Sequence, residues 1–322
     1  MHTCQVCGNI DQNRTFTARE MMFGQGDEFE YLECSTCGCV QLLDVPEDLS
    51  VYYPPDYYAF EPASQSPIKK KARQLLEPHR ARQVLNGGNV IGKGLVQLLG
   101  APAELEWLKR AGVGFGDAIL DVGCGSGSLL QTLQIMGFSD LTGVDPFIET
   151  DLDHGGGLHI YKKEIQDLEQ VYDFVMLNHV YEHMPDPAGT MHQLNRVVKP
   201  GGYVLIRIPI ASSHAYRTYG ADWVQLDAPR HLFLHTYKSI EHLAQQTGFV
   251  VADVTNDSWA FQFWGSEQYQ QGIPLMAETS YMKNKKNSIF TADVIADFEQ
   301  KARELNAQKA GDAACFYLRK DI

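Results

Sequence analysis

Short apolar runs alternate with amphipathic stretches through the middle of the chain, between about residue 118 and residue 249. Apolar runs of this length are typical of buried strands in a parallel sheet, and the amphipathic stretches fit the crossover helices between them. The pattern therefore predicts a doubly wound α/β domain. We expect its strands near residues 118–122, 141–144, 158–161, 172–177 and 203–208.

The pattern changes outside this region. The first forty-five residues contain short segments of alternating polar and apolar residues between turns. So small a module cannot bury a sufficient core unless a cross-link such as a bound metal holds it together. The residues after it resemble a connector, which begins with a run rich in proline and tyrosine, from Val51 to Tyr58. The predicted organisation is an N-terminal module, a connector with a helical cover, and an α/β domain, over residues 1–45, 46–115 and 116–322.

The N-terminal module carries two C-x2-C pairs. Cys4 with Cys7 and Cys34 with Cys37 are each followed by glycine, which lets the backbone turn around a metal. Four thiolates at this spacing predict a tetrahedral Zn²⁺ site that leaves no open position, so the zinc should fold the module and not perform catalysis. Cys39 is close enough to substitute as a ligand, and reduced thiols without metal are the alternative.

Composition and charge narrow the classes of partner. The chain has 322 residues, with 27 Lys+Arg against 40 Asp+Glu and a formal net charge of −13, which argues against a nucleic acid as its main partner. Its N-terminus lacks the cationic stretch and apolar core of a secretory signal peptide. No apolar stretch approaches the roughly 20 residues that a membrane span needs. We expect a cytoplasmic protein without membrane contact, in which paired cysteines bind metal more readily than they form disulfides.

The most informative stretch is a glycine-rich loop between a predicted strand and a predicted helix. The strand ends at Asp121, and Gly123, Gly125 and Gly127 follow it at alternate positions. Such a loop brings a ligand against bare backbone at a helix N-terminus. The next predicted strand ends in Asp145, whose carboxylate could accept both hydroxyl hydrogens of a ribose. Dinucleotide enzymes and methyltransferases both use this arrangement.

The spacing of the glycines separates these two classes. A dinucleotide fingerprint has a third small residue where this chain has Ser128. The loop instead resembles that of class I S-adenosylmethionine-dependent methyltransferases, and the resemblance continues through Tyr172–Pro187, with its HxxEH segment, and Lys199–Gly202. It implies a Rossmann-like, mostly parallel sheet of seven strands, the last of them antiparallel and formed by Ala313–Leu318. In that family the glycine loop approaches the methionine part of the cofactor, the first-strand acid engages its ammonium through the loop, and the second-strand acid holds the ribose.

The resemblance gives these roles to particular residues of the chain. The three glycines would approach methionine, Asp121 would engage the ammonium, and Asp145 would hold the ribose. Glu164 would lie near the adenine amine, a role for which Asp167 competes. Asn178, at the end of the fourth strand, is counted with the cofactor-binding residues.

A second segment resembles a subset of these enzymes that carry an N-terminal zinc ribbon and act on sugars or small metabolites. It runs from Trp223 to Leu232 and includes Arg230 and His231. This resemblance implies a small-molecule acceptor, such as a nucleotide sugar or a glycosylated metabolite. The tyrosine run would then be a lid over the acceptor, or simply the contact between ribbon and main domain.

Methyl transfer to a hydroxyl needs alignment, exclusion of water and removal of a proton. His179, at the end of the fourth strand, and His231 are the candidate bases. His183 follows His179 by four residues, so this pair could hold a metal, although a polar contact at a helix start explains it better. The chain ends soon after its predicted last strand, whereas the related C-methyltransferases commonly carry a further domain, so oxygen is the favoured acceptor atom over carbon or nitrogen.

Three other functions remain open at this stage. An RNA methyltransferase would need a basic groove that forms only in the folded protein. A non-catalytic, methyltransferase-like docking protein would lack the cofactor, and a nicotinamide oxidoreductase would bind NADH instead. The sequence indicates no oligomeric state.

Overall fold

The computed structural model describes residues 2–53 and 67–321. In the second range, side chains are described from residue 73 onward. Of the tyrosine run, Tyr52 and Tyr53 are therefore described, while Tyr57 and Tyr58 lie outside the described residues. The helices are α1 (Pro67–Asn86), α2 (Val90–Leu99), α3 (Ala103–Arg110), α4 (Ser128–Met136), α5 (Pro187–Val197), α6 (His214–Tyr219), α7 (Tyr237–Gln246), α8 (Phe261–Gln270) and α9 (Ala292–Ala307). No helix in this part of the chain is long and apolar enough to span a membrane.

The twelve described strands form two sheets. They are β1 (Arg14–Arg19), β2 (Glu28–Glu33), β3 (Val40–Leu42), β4 (Ile119–Val122), β5 (Leu141–Val144), β6 (Leu152–Gly155), β7 (Leu158–Tyr161), β8 (Tyr172–Asn178), β9 (Val198–Pro209), β10 (Phe233–Leu234), β11 (Phe249–Asn256) and β12 (Ala313–Lys320). The large sheet has the order β11-β12-β9-β8-β4-β5-β7-β6. The small sheet has the order β1-β2-β3-β10.

The large sheet confirms the predicted fold class. Strands β8, β4, β5 and β7 pair in parallel, with Asp121 aligned to Gly143 and to Met176. Every residue of β4 and β5 is buried, which explains why these strands are apolar in the sequence except at Asp121 and Thr142. The sheet has eight strands because the exposed β6 adds an antiparallel edge to β7.

The chain divides into two compact units. One comprises Met1–Pro54, His179–Met191 and Ile206–Phe316, and the other comprises Pro55–Asn178, His192–Leu205 and Tyr317–Ile322. We call them the ribbon unit and the loop unit, after the cysteine pairs in the first and the glycine loop in the second. The boundaries predicted at residues 45 and 115 stay a prediction.

The small sheet lies in the ribbon unit and joins residues that are far apart in the sequence. Strands β1 and β2 form an antiparallel hairpin, and β3 extends it. Strand β10 then pairs with β3, Leu234 opposite Val40. The backbone N–H of Leu42 also donates to the carbonyl of Leu232 at 2.9 Å. The segment around His231 is therefore built onto the cysteine module.

Candidate active site and metal centres

The glycine loop of the loop unit runs from the end of β4 to the start of α4. Gly123, Gly125 and Gly127 have φ values of 73°, 52° and 74°, a left-handed conformation that glycine adopts without strain. A Cβ atom on Gly127 would also lie 2.0 Å from Cδ1 of Ile160. The loop therefore leaves bare backbone at the N-terminus of α4, where a ligand can approach closely.

Asp145 follows β5 directly and adjoins this loop. Its side chain is largely buried, and its Oδ2 accepts a hydrogen bond from the backbone N–H of Gly125 at 2.9 Å. Its Oδ1 accepts from the N–H of Phe147 at 2.8 Å. The structure thus brings together the second-strand acid and the glycine loop, which the sequence separates by eighteen residues.

Asp121 is the buried first-strand acid. Burial raises the pKa of its carboxyl to about 8, and the nearby charge of Asp145 adds to this effect. In the folded chain without a cationic ligand, the carboxyl is therefore mostly protonated near neutral pH. A cation placed against it would favour the charged form.

We expect Asp121→Asn to stabilise the ligand-free protein at neutral and alkaline pH. The carboxyl has a pKa near 3.8 in the unfolded chain and near 8 in the folded chain. Its contribution to the free energy of unfolding of wild type is therefore fully present below pH 4 and is lost as the pH rises to 8. The amide cannot ionise, so the variant should exceed wild type by about 4 kcal/mol at pH 7. Urea unfolding between pH 4 and 8 checks this, and a difference that does not change with pH would contradict it.

The remaining predicted cofactor residues lie at two different places in the loop unit. Asn178 is the half-buried last residue of β8, the strand that pairs with β4. Glu164 is exposed and precedes a 3₁₀ turn, Ile165–Asp167, where its N–H donates to Oδ2 of Asp167 at 3.1 Å. Asp167, the alternative candidate for the adenine amine, thus caps the turn that follows Glu164.

His179 follows Asn178 in the chain and belongs to the ribbon unit. Its φ of 56° is rare for a residue with a side chain, and its backbone N–H donates to the carbonyl of Arg207 at 2.9 Å. Its Nε2 contacts Nη1 of Arg207, and Arg207 Nε donates to Oδ2 of Asp257 at 2.6 Å. Strained backbone and polar partners therefore hold the imidazole in one orientation.

Glu182 lies one turn after His179 and is fully buried. Its Oε1 is 3.4 Å from Nδ1 of His179. Burial alone would raise the pKa of Glu182, but the imidazoles of His179 and His183 lower it to about 2. The carboxyl is therefore charged across the whole physiological range.

His231, the second candidate base, lies in the same cluster. Its Nδ1 is 2.7 Å from the carbonyl oxygen of Gln225. Burial lowers the pKa of His231 to about 4, and the neighbouring His183 contributes to that shift. The two imidazole rings meet edge to face with centroids 4.8 Å apart. Both histidines are candidate bases in the sequence, but no spacing rule joins residues from such distant segments.

The four cysteines of the predicted zinc site converge. Sγ of Cys4 lies 3.6 Å from Sγ of Cys37, and Sγ of Cys7 lies 3.5 Å from Sγ of Cys34. A tetrahedral Zn²⁺ with Zn–S bonds of about 2.3 Å requires edges of about 3.8 Å, so these thiols fit the ion. The backbone N–H groups of residues 36 and 37 also point at Sγ of Cys34, at 3.4 Å.

Cys39 does not belong to this group of four. It is fully buried, and its Sγ lies 4.0 Å from Nδ1 of His235. The four sulfur atoms that lie within 4.8 Å of one another belong to Cys4, Cys7, Cys34 and Cys37.

A parallel sheet with a glycine loop against a second-strand acid is an arrangement that S-adenosylmethionine-dependent methyltransferases share with dinucleotide enzymes, and the family match separates the two classes. The chain belongs to the methyltransferase-domain family, whose profile matches residues 92–254. The match covers the loop, Asp145, the HxxEH segment and the segment of His231.

The named relatives agree with this family. Ubiquinone biosynthesis O-methyltransferase from Acinetobacter baumannii (strain AYE) is 30% identical over 178 residues, which cover 48% of this chain and 73% of that protein. The protein of the same name from Aeromonas salmonicida is 27% identical over 177 residues, covering 49% and 74%. A solved S-adenosylmethionine-dependent methyltransferase from Mesorhizobium loti matches with a TM-score of 0.42 and 16% identity, over 68% of this chain and 98% of that one.

Proposed function

We propose that this chain transfers the methyl group of S-adenosylmethionine to a hydroxyl of a small-molecule acceptor. The observation that carries the proposal is the contact between Asp145 and the glycine loop. This contact places a carboxylate beside bare backbone at a helix N-terminus, where a ribose and an amino-acid moiety can bind together.

The cofactor roles follow from this arrangement. Asp145 would exchange its bonds to the loop for the ribose hydroxyls. Asp121 would become charged when it meets the ammonium of the methionine moiety. Asn178 lies at the end of β8, beside β4 in the sheet, and would contribute to the same site, whereas Glu164 is the candidate for the adenine amine.

For the base, we propose His179 before His231. The side chain of His179 is 37% exposed, whereas that of His231 is 8% exposed and bonded to a backbone carbonyl. Glu182 faces Nδ1 of His179 and would orient the ring. Nε2 contacts Arg207, so an acceptor hydroxyl would replace this contact when it binds.

The acceptor is proposed to be a small molecule methylated on oxygen. The relatives named O-methyltransferases support oxygen, and the net charge of −13 argues against RNA. In the displacement, the oxygen loses its proton, its lone pair attacks the methyl carbon, and the C–S electron pair stays on sulfur. The product is then S-adenosylhomocysteine.

A structural Zn²⁺ at the four cysteines is part of the proposal. The four thiolates would fill its coordination shell, so the ion would hold the ribbon module together and take no part in methyl transfer.

We expect the zinc-loaded protein to bind S-adenosylmethionine and S-adenosylhomocysteine with micromolar affinity. Asp145→Ala should weaken both by at least tenfold, about 1.4 kcal/mol, because it removes the ribose acceptor. Calorimetric titration of the full chain measures this, with circular dichroism to check that the variant is folded.

The control is Glu169→Ala, which removes an exposed carboxylate of the same unit and should leave both affinities unchanged. Folded, zinc-loaded wild type that binds neither ligand would refute the cofactor and favour the docking-protein alternative. Methylation of an acceptor on nitrogen or carbon would refute the choice of oxygen.

A further inference from the structure

A second group of metal-ligating side chains lies in the ribbon unit, apart from the four cysteines. Glu182, His183 and His231 each offer one ligand atom, and these atoms all lie within 4.8 Å of one another. Glu182 and His231 are buried, and His183 is half-buried. Two imidazoles and a carboxylate form a mixed nitrogen and oxygen donor set.

The hydrogen bonds of the two histidines fix which nitrogen is available. Nδ1 of His183 lies 2.8 Å from the carbonyl oxygen of Arg230, and Nδ1 of His231 lies 2.7 Å from that of Gln225. A carbonyl oxygen can only accept, so both Nδ1 atoms donate, and in the neutral imidazoles Nε2 is the nitrogen that carries the lone pair. Metal-binding histidines are oriented by the same kind of bond from their second nitrogen. Nε2 of His231 also lies 3.9 Å from Oδ2 of Asp227.

The carboxylate of Glu182 is buried and has both oxygens open to a further ligand. It is fully buried, and within the described parts of the chain neither of its oxygens has a hydrogen-bond partner of good geometry. His179 lies 3.4 Å away at ion-pair distance, but its other nitrogen contacts the guanidinium of Arg207. The neighbouring imidazoles favour the charged carboxylate, and a cation would add the direct partner that its two oxygens lack.

We propose that Glu182, His183 and His231 bind a divalent transition-metal ion, such as Zn²⁺, through one carboxylate oxygen and two Nε2 atoms. The set differs from the pair of His179 and His183 considered from the sequence, because Nε2 of His179 contacts Arg207. Bonds of about 2.0–2.2 Å place neighbouring ligand atoms about 3–3.5 Å apart. The three side chains offer ligand atoms within 4.8 Å of one another and would close around the ion.

Three protein ligands leave at least one coordination position open, as in catalytic zinc sites. An oxygen donor can occupy it, and a metal-bound hydroxyl loses its proton far more readily than a free one. This role rests on the proposed function, in which the acceptor is a hydroxyl. The ion would hold the acceptor oxygen in its deprotonated form, while His179 takes up the proton.

The test counts metal ions in the full chain without S-adenosylmethionine. Protein stripped with a chelator and reloaded with Zn²⁺ should contain two ions per chain by elemental analysis. Glu182→Gln and His183→Gln should contain one, with affinity for the second ion reduced about a hundredfold or more. His214→Gln, which removes a histidine elsewhere in the same unit, should keep two.

A Co²⁺ titration of wild type does not depend on whether the variants fold. The second equivalent should add weak visible absorption without further near-ultraviolet absorption from sulfur-to-cobalt charge transfer, because its ligands contain no thiolate. One ion per chain in wild type, or two in both folded variants, would overturn the proposal. Two ions in a chain that binds no S-adenosylmethionine would refute the proposed function and leave the metal site standing.

Discussion

Arg230→Met is expected to destabilise the protein by about 3–5 kcal/mol, the typical cost of removing one partner of a buried ion pair. The guanidinium of Arg230 is buried between two carboxylates, with Nη2 2.9 Å from Oε1 of Glu20 and Nε 3.0 Å from both oxygens of Asp227. Its Nη1 also donates to the carbonyl of Tyr52 at 3.2 Å. Methionine fills a similar volume but leaves both acids without their cation. Urea unfolding at pH 7 in saturating Zn²⁺ measures the loss.

Arg217→Met is the control for this change. Arg217 is exposed, and it donates to the carbonyl of Ser212 at 2.7 Å. Its replacement should change the free energy of unfolding by less than about 0.5 kcal/mol, as for most surface positions. An equal loss in the two variants, or a loss below 1 kcal/mol for Arg230→Met, would show that the buried carboxylates do not depend on this arginine.

The core of the large sheet could be predicted because each strand carries its own signal. Residues 141–144 and 158–161 were expected to be strands and are strands with the same bounds. Apart from Thr142, the side chains that the sheet buries in these strands are apolar, and turn residues separate the strands from their neighbours. The glycine loop was equally readable, because a left-handed backbone at Gly127 beside a strand demands glycine. Local rules therefore sufficed to predict these strands and the glycine loop of the loop unit.

The histidine cluster could not be predicted, because its members come from separate segments. The bonds that orient His183 and His231 end on backbone carbonyls, which every residue has, so no residue type in the sequence marks them. The same limit applies to β10, a strand of two residues that pairs with β3 from the N-terminal module. Pairings of this kind depend on tertiary contacts that no local pattern records.

The two tyrosines of the run that the structure describes, Tyr52 and Tyr53, lie in different surroundings. The hydroxyl of Tyr52 donates to Oδ2 of Asp27 at 2.9 Å, and its ring packs edge to face against Phe29. That tyrosine fixes the start of the connector to the ribbon module. The hydroxyl of Tyr53, by contrast, lies 3.4 Å from Nδ1 of His183. Adjacent tyrosines thus face different surroundings, one structural and one beside the histidine cluster.

Cys34→Ser is expected to abolish metal binding at the four cysteines and to unfold the ribbon module. Structural Zn²⁺ contributes on the order of 10 kcal/mol to modules of this size, which have no sufficient core of their own. The loss should spread beyond the module, because Thr236 Oγ1 donates to the carbonyl of Cys37 at 2.6 Å and Lys238 Nζ donates to that of Thr36 at 2.6 Å. Protection of amides in β3 and β10 from hydrogen exchange should therefore fall together.

Sulfur-to-cobalt absorption after Co²⁺ loading reports on the thiolate site alone and should disappear in Cys34→Ser. Cys39→Ser is the sharp control, because Cys39 is buried next to the site but outside the group of four. It should keep this absorption and the exchange protection of wild type. Equal loss in the two variants would make Cys39 a ligand. Wild-type exchange protection in Cys34→Ser would show that the module folds without the tetrathiolate ion. Its sheet and the bonds to residues 232–238 would then be sufficient to hold it.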